Sequence, residues 1–292
     1  MRHLLKEGKI IKYVSKEGGG LSGEVHFIHH KGDRYVVRRC QSLETAQFYE
    51  YISKKFEKYG FLPKFLGRYG KDVFYEHIDG RELKKEDSFK VAEQIGRIAA
   101  IINKVKVKGS LDERFSKQLQ ELVSGRFYLS VKEKAARKRN RVENEKIEPV
   151  FSKSEAEVIN KIYVYLKKRT KPLLTLDSND IHLKNYILSK GKVYFVDIEA
   201  IKPRIKGFGI AKAFVKWFKT EKLRDKFRKG YEHISPMKFY NEEYRDFVEM
   251  QFLLQRINYR WKILELNMKK KDYEGTIDKF WNIVNKYKEM KK

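Results

Sequence analysis

Between Leu173 and Ala200 the chain reads LLTLDSNDIHLKNYILSKGKVYFVDIEA. Two short apolar runs, Tyr186 to Leu188 and Val193 to Val196, flank the turn Ser189-Lys190-Gly191-Lys192, which is the pattern of a tight antiparallel hairpin. Helical spacing dominates on either side of it. Residues 86 to 107, 111 to 125 and 153 to 169 repeat apolar positions at helical intervals, as in Val91, Ile95, Ile98 and Ile102, and the chain from about 209 onward is mostly helical. A β-ribbon set into a helical region is the feature that any fold for this chain has to accommodate.

The first 80 residues read differently. Lys9 to Val14 and Glu24 to His29 are β-rich runs, Lys31-Gly32-Asp33 is a turn, and Arg34 to Cys40 is the next strand. Ser42 is placed to cap a helix running to about Lys58, which Phe61-Leu62-Pro63 breaks. Two more short strands follow around Phe65 to Gly67 and Asp72 to His77, closing at Asp79-Gly80. No internal repeat and no low-complexity linker is present. The expected architecture is α+β, with a small antiparallel-sheet lobe (1–79) followed by a larger, mainly helical lobe (80–292).

The hairpin also carries chemistry. Asp180 and Asn185 stand in Asp-Ile-His-Leu-Lys-Asn just before it, and Asp197 follows its second strand. A hairpin closed at that turn would set Asn185 opposite Asp197, about 5 Å apart between Cα atoms. An amide oxygen and a carboxylate at that separation can share a hard cation, and magnesium takes oxygen ligands and few of them from protein. Asp180, on the preceding loop, can then orient and deprotonate an acceptor hydroxyl. Each residue alone reads better as structural: Asp180 as a cap or turn residue, Asn185 as a turn residue, Asp197 as a strand-ending carboxylate. Their combination around a hairpin of this length points to phosphoryl transfer.

Near the start, GGGLSGEV places Gly18, Gly20, Gly23 and Val25 in the pattern G-x-G-x-x-G-x-V, with Ser22 inside the loop. Its context is strand–loop–strand, whereas a dinucleotide fingerprint needs strand–loop–helix. Glycines let backbone N–H groups approach phosphate oxygens without side-chain obstruction.

With these residues together, the sequence resembles the protein-kinase-like superfamily, in particular the branch of aminoglycoside phosphotransferases, choline kinases and lipopolysaccharide kinases. The resemblance covers roughly residues 10 to 265 and is specific in the catalytic segment. It implies an ATP- and Mg2+-dependent phosphotransferase with an alcohol acceptor. Asp180 would be the catalytic base, Asn185 and Asp197 the metal ligands, and Glu199 a further acid common in the branch. Arg38 would sit where a lysine normally binds the α and β phosphates, with Arg39 as the alternative if the register slips by one. Val36 would touch adenine, and Glu50, with Glu44 second, would pair with Arg38. Backbone groups near Glu76 and Ile78 would meet the adenine edge.

Three positions depart from the pattern. Arg38 replaces lysine and offers a planar fork rather than a point charge. Ser178 stands where a histidine usually precedes the catalytic aspartate. Gly209 stands where the following helix often begins with an aspartate that braces the catalytic loop. The last two departures concern one scaffold, so its bracing is expected to have been rebuilt.

Composition bears on the acceptor. Sixty-six Lys plus Arg against 39 Asp plus Glu give a net charge of +27. A thermophile habit raises Lys and Glu together and does not produce this imbalance. Six of the eleven residues from Val131 to Arg141 are Lys or Arg, and Lys212 to Lys229 carries eight, interleaved with Phe214, Trp217 and Phe218. Such a surplus favours an anionic acceptor, first of all RNA, and an archaeal tRNA-directed kinase would fit. A small-molecule, sugar or glycolipid kinase is the alternative, and an inactive RNA-binding module that keeps the fold is a third reading. The single cysteine, Cys40, excludes an internal disulfide and fits a reducing, cytoplasmic compartment. The opening MRHLLKEGKIIKYV lacks a signal-peptide core, and no apolar run is long enough for a transmembrane segment.

Overall fold

The computed structural model describes residues 9–12, 23–30, 32–109, 112–124, 149–178, 181–264 and 270–289. The strands are β1 (Lys9–Lys12), β2 (Gly23–His30), β3 (Asp33–Cys40), β4 (Phe65–Tyr69) and β5 (Asp72–Glu76), then β6 (Arg81–Glu82), β7 (Leu174–Ser178), β8 (Tyr186–Ser189), β9 (Lys192–Phe195) and β10 (Ile201–Ile205). The helices are α1 (Leu43–Phe56), α2 (Ser88–Asn103), α3 (Asp112–Ser124) and α4 (Lys153–Thr170), then α5 (Phe208–Lys216), α6 (Glu221–Glu232), α7 (Glu242–Leu264) and α8 (Lys270–Glu289). The fold is α+β, as expected. The chain forms two compact units, one from residues 1–100, 180–202 and 216–234, the other from 101–179, 203–215 and 235–292.

In the first unit β1 to β5 form one antiparallel sheet in the order β1-β2-β3-β5-β4. Alternation decides which face each side chain takes. Val37 and Cys40 of β3 are buried, and Ile28, Val37 and Phe74 pack together as a small core. Helix α1 begins where its cap predicts, with the Ser42 hydroxyl accepting the Thr45 N–H at 3.1 Å. Its buried side is Ala46, Tyr49, Ile52 and Phe56, and it ends in a short 3-10 turn closed by Gly60 in the left-handed region.

The hairpin of β8 and β9 belongs to the same unit and joins β6 in a three-stranded sheet. Three further contacts fix it. The Phe195 N–H donates to the Phe61 carbonyl (2.8 Å), and the Ser189 hydroxyl donates to the Asp79 carbonyl (2.5 Å). The Gln94 side chain of α2 donates to the Gly191 carbonyl and accepts the Val193 N–H, both at 2.9 Å. Gly80 lets the chain pass close to β8: a Cβ there would lie 2.5 Å from the Leu188 carbonyl oxygen.

In the second unit α3, α4, α5, α7 and α8 share one large core, in which the Phe115 and Tyr163 rings stack at 3.8 Å. The helix expected to run to residue 107 stops at Asn103. Val105, Lys106 and Val107 run beside β7 instead, through the Leu176 N–H to the Val105 carbonyl (2.8 Å) and the Val107 N–H to the Leu174 carbonyl (3.2 Å). Two β-branched residues in alternation suit a strand, and the ladder outweighs the apolar spacing that suggested helix. Among the described residues no helix is long and apolar enough to cross a membrane.

Candidate active site

The hairpin turn is two residues long. Lys190 (φ 47°) and Gly191 (φ 78°) both take positive φ, as a type I′ turn requires, and Ser189 and Lys192 form the closing pair rather than part of the loop. Pairing Asn185 with Asp197 needs a loop centred on Gly191, so the observed register is one residue away from the expected one. Tyr186 pairs with Phe195, and the next bond is from the Val196 N–H to the Asn185 carbonyl at 2.9 Å, so Asn185 faces Val196 and not Asp197. Asp197 follows directly and adjoins that pair. Asn185 ends a 3-10 turn (Leu183–Asn185) anchored by buried Ile181 and Leu183, while the His182 ring accepts the Lys184 N–H at 3.1 Å. Both Asn185 and Asp197 are half-buried.

A cavity of about 250 Å³ lies within the first unit. Val25, Val36, Arg38, Glu76 and Ile78, named above as nucleotide-binding candidates, all line it. Phe27 and Tyr75 add aromatic surface, and Ile187, Val196 and Ile198 contribute from the hairpin and its exit. These hairpin residues were not foreseen as lining. They follow from the alternation of β8 and β9, which turns Tyr186 and Phe195 into the core and leaves Ile187 on the other face. The Glu76 N–H donates to the Lys64 carbonyl at 3.0 Å, so any adenine contact at this residue falls to its carbonyl.

The two arginines of β3 point to opposite sides. Arg38 faces the cavity, and its guanidinium donates to the Tyr49 hydroxyl at 3.1 Å. Burial pulls the Arg38 pKa down, but Tyr49, Asp197, Tyr75 and Glu199 outweigh it and leave the pKa above its ordinary value. Burial pushes the Tyr49 phenol up to about 12, so it stays a neutral partner. Arg39 instead makes a two-pronged bond to buried Asp72 (2.9 and 3.0 Å). The expected pair of Glu50 with Arg38 does not form: Glu50 accepts from Lys54 (2.7 Å) and Arg68 (2.6 Å), and those bonds lower its pKa. Glu44 is exposed in the first turn of α1. The acids acting on Arg38 come from the far side of the hairpin, at Asp197 and Glu199.

The second unit contains a carboxylate that the sequence reading passed over. Asp177, almost fully buried at the end of β7, accepts the N–H groups of Gly207 (2.8 Å) and Gly209 (3.0 Å) at the start of α5. Burial raises its pKa to about 6, against the bonds from Asn103, Gly209 and Gly207 and the field of Arg204. A Cβ at position 209 would lie 2.1 Å from the Ser178 carbonyl oxygen and 2.5 Å from Asp177 Oδ1. An aspartate therefore cannot occupy the helix start, and the acid sits on the strand instead. The signal was present in Leu-Asp-Ser-Asn-Asp: an acid three residues before Asp180, opposite a glycine where an acid is usual.

Gly18, Gly20, Ser22, Asp180 and the basic stretch Val131 to Arg141 lie outside the described residues. Gly23 opens β2, which pairs with β1, so the glycine stretch joins two antiparallel neighbours. In the second basic stretch Phe214 and Phe218 are buried, and Trp217 packs its ring on His182 at 4.5 Å.

Asn185 and Asp197 carry an amide oxygen and a carboxylate at neighbouring backbone positions, the donor types a hard divalent cation takes.

A family model described as choline/ethanolamine kinase matches residues 19–287. No curated protein sequence matches the chain. The fold is similar to that of the choline kinase LicA from Streptococcus pneumoniae (15% identity, TM-score 0.59, 96% of this chain and 94% of that one). It is also similar to an ethanolamine kinase from Plasmodium vivax (13%, 0.60, 97% and 83%) and to an ADP-bound aminoglycoside phosphotransferase, APH(2'')-Ib (14%, 0.56, 97% and 95%). With the match spanning nearly its whole length, the chain belongs to the choline/ethanolamine kinase family.

Proposed function

We propose that the protein transfers the γ-phosphoryl group of ATP to the hydroxyl of a small-molecule alcohol, with magnesium. In this reading residues 1–79 carry the nucleotide-binding elements, and residues 80–292 the catalytic loop, metal ligands and acceptor-binding helices. The observation that carries it is the cavity of the first unit, which gathers four of the nucleotide candidates, Val25, Val36, Glu76 and Ile78, around a fifth, Arg38, itself in the field of Asp197 and Glu199.

Apolar Val25, Val36 and Ile187 would sandwich the base, and the Glu76 carbonyl and Ile78 N–H would bond its edge. Glycines 18, 20 and 23, with Ser22, would cradle the phosphates through backbone N–H groups. Arg38, pinned by Tyr49, would hold phosphate oxygens in a fixed fork. Asn185 and Asp197 would hold the metal, which when bound neutralises phosphate charge. Asp180 would accept the proton of the attacking hydroxyl and fix its direction. The oxygen lone pair attacks the γ-phosphorus, the bond to the β-bridging oxygen breaks, and ADP leaves with that electron pair.

The small alcohol is preferred over RNA. Phe214 and Phe218 are core residues and cannot stack bases. The family and the similar structures named for choline, ethanolamine and aminoglycosides support the same choice. Incubation with γ-labelled ATP and separated small-metabolite, RNA and protein fractions tests it. Label is expected in small alcohols, with choline, ethanolamine and amino sugars as first pure substrates. Label in RNA alone would overturn this choice of acceptor.

A further inference from the structure

The second unit holds a cavity of its own, of about 300 Å³, to which none of the nucleotide, metal or catalytic candidates contributes. It opens where Lys108 and Gly109 pass the start of β7, beside the end of β10 and the facing side of α7. Leu174, Ile205 and Phe208 give it an apolar wall. Lys108, Arg204 and Gln251 give it donors, and no carboxylate lines it among the described residues.

Two observations distinguish it from a gap in the packing. First, Gln251 Nε2 is buried and lacks a hydrogen-bond partner among the described residues. A buried donor left unpaired is costly, and such groups in folded proteins are ordinarily satisfied by a neighbour, water or a ligand. Second, the arginine is held in place: Arg204 Nη1 donates to the Pro203 carbonyl at 2.9 Å, and the guanidinium lies 5.9 Å from the Phe208 ring centre. A positioned guanidinium, an ammonium and an amide donor against a hydrophobic wall need acceptors at one end of a ligand and carbon at the other.

We infer that this cavity is a second ligand site, for a small anion that carries a phosphate or carboxylate on an apolar or aromatic body. The anionic group meets Arg204 and Lys108, an acceptor oxygen meets Gln251, and the body lies against Leu174, Ile205 and Phe208. The volume, about that of ten water molecules, admits a compact metabolite. The inference is independent of the proposed reaction and survives its failure.

Calorimetric titration of the full chain with phenyl phosphate tests it, with phenol and inorganic phosphate as the two halves of the probe and saturating ADP present to occupy the nucleotide cavity. Phenyl phosphate is expected to bind at least about tenfold more tightly than either half, since both ends of the site are then used. Arg204→Ala and Gln251→Leu should each weaken it by about tenfold or more while leaving ADP affinity unchanged. If either variant fails to fold, Lys108→Ala, at an exposed position, is expected to weaken binding severalfold. The proposal is overturned if phenyl phosphate binds no better than phosphate alone, if it does not bind by about 10 mM, or if the folded variants bind it as the wild type does.

Discussion

The residue on which the proposed nucleotide site turns is Arg38. Its place on β3 was expected from the family resemblance, with Arg39 as the alternative, and the pairing of Arg39 with buried Asp72 removes that alternative. Its acidic partner was not legible, because Glu50 sits at a suitable distance in sequence but is taken by Lys54 and Arg68. Contacts of this kind depend on side-chain direction across elements, which spacing alone does not encode. Glu199→Gln is therefore expected to weaken ATP binding about tenfold, measured by titration calorimetry, and Glu50→Gln to leave it within about twofold. The reverse order would return Glu50 to the role. Asp177 gives a second prediction. Its folded pKa of about 6 lies above the ordinary 3.8, so the folded state binds the proton more tightly and this group's contribution to stability falls as pH rises between those values. Relative to wild type, Asp177→Asn should gain up to about 3 kcal/mol between about pH 4 and pH 7 in urea unfolding. A loss over that range would mean that the N–H bonds outweigh burial.

At the scale of elements, the sequence was most informative where a local rule has few solutions. Ser42 capped α1 as expected, and the helix ends ahead of Phe61-Leu62-Pro63, in a turn closed by Gly60. The hairpin was legible as a hairpin but its register was not, because a loop of two residues and a loop of three leave nearly the same pattern of apolar positions while their pairings differ by one residue. The turn itself is open to test. Lys190 has φ 47° with a β-carbon, and asparagine tolerates that region better, so Lys190→Asn should stabilise the protein by up to about 1 kcal/mol. The check is a raised denaturation midpoint with an unchanged slope. Gly80 is the opposite case, since a side chain there meets the backbone of β8 next to Ile187, which lines the cavity. Gly80→Ala should cost about 1–3 kcal/mol and raise the KM for ATP; unchanged stability and KM would mean that the segment moves aside freely. The bracing of α5 was anticipated only as a pair of departures. The carboxylate that replaces it became visible once Gly209 was seen against the Ser178 backbone.

For the whole molecule, net charge was the weakest guide. A surplus of +27 speaks to association and solubility rather than to fold or reaction. Phe214 and Phe218 in the second basic stretch, whose helical spacing reads as core packing rather than as base-stacking platforms, are buried. Membership of the choline/ethanolamine kinase family rests on a match across residues 19–287, while the acceptor depends on contacts that family membership does not specify. The central claim is that Asp197 serves phosphoryl transfer from ATP bound in the first-unit cavity. It is tested most directly by the rate of γ-phosphoryl transfer at saturating ATP and acceptor, wild type against Asp197→Ala, with both shown to be folded. A loss of about a thousandfold or more is predicted. Transfer retained within about threefold of wild type would contradict the account.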